Sequence, residues 1–226
     1  MKRMVLFALA ALCAAGCRPT VVMEIGSGED RLAGSGTAAS EERAISDVHA
    51  LTLSGAYDVT VTGGGEPRLA ITADDNIVPL VRTEAKDGVL DVRLDRSVST
   101  RNRIQIGLTT RTVDLVRVSG ASQVRLLAVT GSTLRVEVSG ASLMQAAGRV
   151  DEFAADISGA GNIAAQDLQA GRATVRINGT GNVDLTALEE LDARISGVGR
   201  IRYFGSPPKV SRHIDGVGTI QAGGTK

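Results

Sequence analysis

The chain has no tryptophan, two tyrosines and three phenylalanines among 226 residues. So few rings leave little material for the stacking platforms on which polysaccharide-processing enzymes hold sugars, and the acidic residues do not recur as the paired carboxylates of acid–base hydrolysis. The only histidines, His49 and His213, are far apart in sequence and outside any acid–histidine cluster, so neither is read as a metal ligand or a catalytic base. The two cysteines, Cys13 and Cys17, lie close together near the N-terminus and cannot make a disulfide framework. An excess of either charge is missing as well: 25 Lys and Arg stand against 25 Asp and Glu, which argues against a nucleic-acid partner. No catalytic residue, cofactor or metal site is expected from the sequence.

What the chain does contain is one short phrase used repeatedly: Val-Ser-Gly-Ala-Ser, Ile-Ser-Gly-Ala-Gly-Asn-Ile, Ile-Asn-Gly-Thr-Gly-Asn-Val, Ile-Ser-Gly-Val-Gly-Arg-Ile and Ile-Asp-Gly-Val-Gly-Thr-Ile. Its pivot glycines are Gly120, Gly140, Gly159, Gly179, Gly197 and Gly216, with successive gaps of 20, 19, 20, 18 and 19 residues. A fixed period of this length marks a stacked repeat in which each copy is one layer. A front copy, Leu-Ser-Gly-Ala-Tyr-Asp-Val, pivots on Gly55.

Two positions before the pivot stand Val118, Val138, Ile157, Ile177, Ile195 and Ile214; four positions after it stand Val124, Met144, Ile163, Val183, Ile201 and Ile220. Such residues fit pleated strands. The residue before the pivot is Ser119, Ser139, Ser158, Asn178, Ser196 or Asp215, all short side chains that stabilise turns, and the glycine offers a positive φ. The unit therefore reads as strand, tight corner, strand. A layer of about 20 residues cannot bury its own apolar face, but stacked layers can, each interior Val or Ile contributing roughly 1.5–3 kcal/mol. The fold class expected is all-β, a right-handed parallel β-helix, the handedness by analogy with other parallel connections. On its surface Arg117, Glu137, Asp156, Arg176, Arg194 and His213 should form one column. There Arg117 would meet Glu137 and Asp156 would meet Arg176, while Glu137 beside Asp156 and Arg176 beside Arg194 would repel.

The N-terminus carries an address. Lys2 and Arg3 precede the apolar run Val5–Ala15, which is too short to span a bilayer, and small residues follow. Residues 1–16 read as a signal peptide. Ala14-Ala15-Gly16-Cys17 resembles a bacterial lipobox, with alanine in place of the usual leucine three places before the cysteine. That resemblance implies lipidation of Cys17 and a membrane partner reached through the lipid anchor. Arg18, where aspartate is absent, favours the outer membrane by the same resemblance.

Residues 17–44, rich in Gly, Ser and Thr, read as a flexible tether, and residues 45–222 as the ordered domain. Arg68–Thr72, Gly88–Leu94 and Arg103–Leu108 alternate like strands, with a polar loop over Ser97–Asn102. Asp74-Asp75-Asn76 is expected to cap a short helical turn ending near Val81, and residues 45–110 to form less regular opening layers that cover one end of the stack. Gly179-Thr-Gly181 and Gly197-Val-Gly199 lack the continuation of a nucleotide loop and read as turns. Asn162 and Asn182 should stack as an amide ladder. Residues 223–226 read as a tail.

The repeated Ser-Gly-Ala-Gly-Asn-Ile phrase, the front Leu-Ser-Gly-Ala-Tyr-Asp-Val-Thr-Val unit and the Asp-Asp-Asn segment together resemble the bacterial head GIN domain family over roughly residues 45–222. The resemblance implies a right-handed parallel β-helix on exported, often lipidated proteins, and brings no catalytic residues with it. The function expected is a non-catalytic envelope lipoprotein whose rigid β-helix serves adhesion, assembly or ligand binding, with an envelope protein or glycan as partner. The alternative is a β-helix polysaccharide-processing enzyme.

Overall fold

The computed structural model describes residues 31–224. Its first half holds β1 Leu32–Ala33, β2 Ala38–Arg43, β3 Ala50–Ser54, β4 Tyr57–Gly63, β5 Arg68–Asp74, β6 Val81–Lys86, β7 Val89–Leu94, β8 Val98–Ser99, β9 Ile104–Thr110 and β10 Leu115–Val118. The second half holds β11 Ala121–Val138, β12 Ala141–Ile157, β13 Ala160–Ile177, β14 Thr180–Ile195, β15 Val198–Phe204, β16 Lys209–Ile214 and β17 Val217–Ala222. The architecture is a β-solenoid of about 5 turns.

From β10 onward every strand pairing is parallel. The long strands β11 to β14 each run from one pivot corner to the next, bending midway where the register shifts. Register places the apolar columns one above another. Leu53, Val118, Val138, Ile157, Ile177, Ile195 and Ile214 are successive partners, and so are Val59, Val124, Met144, Ile163, Val183, Ile201 and Ile220. Ile157, Ile177 and Ile195 are fully buried, so the expected continuous interior file is present. This file and its neighbours form one core along the whole stack.

The corners work differently from the sequence expectation. Only Gly55 among the seven pivots has a positive φ, at 154°; Gly120, Gly140, Gly159, Gly179, Gly197 and Gly216 do not. What these six need is space. The ladder continues through each bend: the N–H groups of Ala121, Ala141, Ala160, Thr180, Val198 and Val217 donate to the carbonyls of Gly55, Gly120, Gly140, Gly159, Gly179 and Gly197 at 2.8–2.9 Å. That bond holds each pivot directly over the carbonyl of the pivot below, and a Cβ there would overlap the carbonyl oxygen. The serines before the pivots lock the same corner. The hydroxyls of Ser119, Ser139 and Ser158 donate to the carbonyls of Leu53, Val118 and Val138 at 3.1, 3.4 and 3.3 Å.

The opening end is closed by antiparallel strands. Strands β7 and β9 lie parallel to β3 and β4, after which β6 pairs antiparallel with β7, β5 with β9, and β2 with β5. The reversal at β6–β7 is made by Asp87-Gly88, with φ of 52° and 77°, the backbone a two-residue hairpin requires. The tether expected over residues 17–44 is therefore corrected for its later part: β1 pairs with β8 inside the expected Ser97–Asn102 loop, and β2 extends the sheet.

Asp74-Asp75-Asn76 caps no helix. Among the described residues the only helical turn is a 3₁₀ segment, Val78–Leu80, which has no side-chain cap. The three residues instead clasp the β8–β9 loop and the early chain. Asp74, 1% exposed, accepts from Thr100 Oγ1 at 2.7 Å and Asn102 Nδ2 at 2.8 Å. Asp75 accepts from Ser35 Oγ at 2.5 Å, and Asn76 Nδ2 donates to the Ala33 carbonyl at 2.8 Å.

The other end carries an exposed charge at an interior register position. Arg212 occupies the interior file above Ala193, where earlier coils carry valine or alanine. Its guanidinium donates to the Tyr203 hydroxyl at 2.5 Å and lies 5.3 Å from that ring's centre. A charged side chain on a terminal strand discourages edge pairing with another chain. Gly223, expected in the tail, donates its N–H to the Tyr203 carbonyl at 2.8 Å.

Candidate functional site

Alternation along each pre-corner strand turns every second residue outward, and coil stacking brings those residues into columns. The expected column of Arg117, Glu137, Asp156, Arg176, Arg194 and His213 is present in register. Arg117 Nε meets Glu137 at 2.7 Å, as expected. Arg176 lies 3.7 Å from Asp156, a longer pair.

The repulsion expected between Glu137 and Asp156 is relieved by a residue the sequence reading missed. Arg135 stands two positions before Glu137, on the same outward face, and bridges both carboxylates: Nε to Glu137 at 2.6 Å and an Nη to Asp156 at 2.7 Å. Asp192 does the same service for Arg194, at 3.4 Å. His213 closes the row against Asp215 at 2.9 Å. Writing out the next outward column in the sequence, five positions before each pivot, would have revealed Arg135 and Asp192.

Hydrogen bonds from Arg117 and then Arg135 hold the Glu137 carboxyl below its ordinary value of 4.5, and the hydrogen bond to Glu137 raises the pKa of Arg135. Because the folded pKa is depressed, the stability contributed is complete above the unfolded value and is lost as pH falls through the folded one. Arg135→Ala is expected to lower stability by about 1 kcal/mol at neutral pH and low salt. Variant and parent should converge as pH drops below about 4. Urea melts across that range check it; a deficit independent of pH would mean lost packing instead of lost charge pairing.

Beside this face a shallow groove of 320 Å³ runs along the corners, lined by Ser119, Ser139, Ser158, Asn178 and the paired Arg117, Glu137 and Asp156. Its three serine hydroxyls already donate to the coil below. On the face past the corners, Asn182 Nδ2 donates to Asn162 Oδ1 at 2.8 Å, which is the expected amide ladder, and Arg125 pairs with Asp58 at 3.1 Å. His49 and His213 fall at opposite ends of the stack and are not brought together. Among the described residues no group of three His, Cys, Asp or Glu side chains could hold a metal ion. Cys17 and the signal peptide of residues 1–16 lie outside the described residues. No helix among the described residues is long and apolar enough to cross a membrane.

These features define a parallel β-solenoid whose most ordered chemistry is an extended charged face and not an enclosed pocket. The family model described as "Putative auto-transporter adhesin, head GIN domain" matches residues 47–207, and the chain belongs to that family. A crystal structure of a putative adhesin from Bacteroides fragilis NCTC 9343 is similar at 25% identity and TM-score 0.69, over 84% of this chain and 99% of that one. A putative adhesin from Parabacteroides distasonis ATCC 8503 shares the fold at 22% identity and TM-score 0.52, over 85% of this chain and 100% of that one. Another from Parabacteroides merdae ATCC 43184 does so at 20% identity and TM-score 0.50, over 86% and 99%. No curated protein is significantly similar.

Proposed function

We propose that this protein is a non-catalytic envelope lipoprotein, anchored to the outer membrane through acylated Cys17, whose rigid solenoid serves adhesion or assembly with an envelope protein or glycan. The observation that carries the reading is the state of the carboxylates on the ordered faces. Glu137, Asp156, Asp184 and Asp192 are spent in arginine pairs within and between coils. A glycoside hydrolase needs a carboxylic acid whose pKa is raised. Hydrogen bonds from Arg43 to Glu41, from Asn102 and Thr100 to Asp74, and from Arg117 and Arg135 to Glu137 hold these three carboxyls below their ordinary values, opposite to what such an acid needs. Membership of an adhesin-named family supports the same reading.

The experiment has two arms. Metabolic palmitate labelling and membrane retention should be lost in Cys17→Ser; an unchanged membrane fraction would remove the anchor. The purified chain carrying Cys17→Ser should capture envelope proteins or glycans without altering them. Reproducible sugar cleavage would replace the adhesive reading with an enzymatic one.

A further inference from the structure

Most arginines of the solenoid are spent on carboxylates, but those around one groove are not. A groove of 600 Å³ is lined by Arg31, Arg103, Ser97, Ser99, Thr100 and Asn102, with several apolar residues, and no carboxylate lines it. Arg31 and Arg103 line it, Arg101 lies between the lining residues Thr100 and Asn102, and all three are exposed with no ion-pair partner among the described residues. The buried carboxylate beneath them, Asp74, is consumed by Thr100, Asn102 and the Gly36 N–H. The accessible charge of the groove is therefore positive, on a chain whose formal net charge is zero.

The loop that carries these groups is held in place. Strand β1 pairs with β8, the Leu32 N–H donates to the Ser97 carbonyl at 3.1 Å, and the Gly34 N–H donates to the Ser99 carbonyl at 2.8 Å. The groove is thus built on the first described residues, and Cys17 lies about fourteen positions upstream of Arg31. Fully extended, fourteen residues reach about 50 Å at most. Acylation of Cys17 would therefore keep a bilayer within that distance of Arg31.

We propose that this groove docks the phosphate headgroups of an anionic phospholipid bilayer, seating the N-terminal end of the solenoid on the membrane. The proposal rests on the lipid-anchor reading for its orientation. Guanidinium groups present paired N–H donors that match phosphate oxygens, and the Ser97 and Ser99 hydroxyls and the Asn102 amide add neutral donors beside them. Screening confines the attraction to about 8 Å at physiological salt, so the arginines act only once the tether has brought them to the surface. A single acyl chain gives weak, reversible binding, and a basic patch is a recognised second signal.

The test uses the mature chain carrying Cys17→Ser, so that no acyl chain contributes and failure of the anchor cannot mimic failure of the groove. Co-sedimentation is measured with phosphatidylcholine vesicles and with vesicles that also contain phosphatidylglycerol. Binding is expected only to the second kind, weakening steeply toward about 0.5 M NaCl. Each of Arg31→Glu, Arg101→Glu and Arg103→Glu should weaken it at least about fivefold. The triple variant should fall to the phosphatidylcholine level while keeping its melting temperature. Arg149→Glu with Arg200→Glu alters exposed arginines elsewhere on the solenoid and should leave binding within about twofold. Equal losses in that control would show that net charge alone acts, and would overturn the groove. Binding of inorganic phosphate without any binding to the vesicles would overturn the bilayer as occupant. Unchanged binding by the triple variant would overturn the site.

Discussion

Gly159→Val is expected to lower the melting temperature by roughly 10 °C, while Gly131→Val leaves it nearly unchanged. The two substitutions add the same side chain to the same kind of strand-rich chain. At Gly159 the new Cβ meets backbone: the carbonyl oxygens of Gly140 and Ser139 and the Ser139 carbonyl carbon. None of these can move without lengthening the Ala160-to-Gly140 hydrogen bond of 2.9 Å and separating two coils. Overpacking against backbone belongs at the upper end of its usual cost, about 3 kcal/mol or more. At Gly131 the Cβ would meet nothing within 4 Å. Thermal melts of both variants decide the matter, and equal shifts would show that the corners do not depend on the missing side chain.

That experiment also separates two reasons for a glycine that the sequence alone confounds. A glycine recurring every 18 to 20 residues is compatible with a left-handed backbone or with a close approach. Which applies depends on the neighbouring coil, and the partner of Gly159 is Gly140, nineteen residues away. The period and the apolar columns were legible because every copy states them in the same order, so Ile157, Ile177 and Ile195 could be placed in one file without coordinates. The opening end was less legible because it repeats nothing. Asp74-Asp75-Asn76 looks like a helix start when only local bonds are considered, whereas its partners, Ala33, Ser35, Thr100 and Asn102, are between 26 and 43 residues away. The Asp87-Gly88 hairpin was readable in principle, since that dipeptide suits a two-residue turn. On the charged face a single column showed half of the arrangement. The missing half, Arg135 and Asp192, lay in the next outward column, because long side chains pair diagonally as well as directly overhead.

The interior makes a prediction of similar size. Leu134, Phe153, Ala173 and Leu191 are successive partners in one buried file, so a buried phenyl ring sits directly below a methyl group. Phe153→Ala is expected to cost about 3–5 kcal/mol, from lost burial and the cavity left behind. Ala173→Leu alone should also destabilise, by about 1–3 kcal/mol, because Phe153 already fills the space beneath it. Combined, the two should be less harmful than their sum by about 1–2 kcal/mol, since the leucine enters room that the phenylalanine has vacated. Denaturant melts of the four proteins in a double-mutant cycle measure this coupling directly. A coupling near zero would mean that each coil packs as a separate layer. A positive value means that volume is shared between coils, so that the solenoid conserves the total size of a file and tolerates variation at single positions. That would account for the coexistence of phenylalanine, leucine and alanine at equivalent positions of a repeat whose corners admit only glycine.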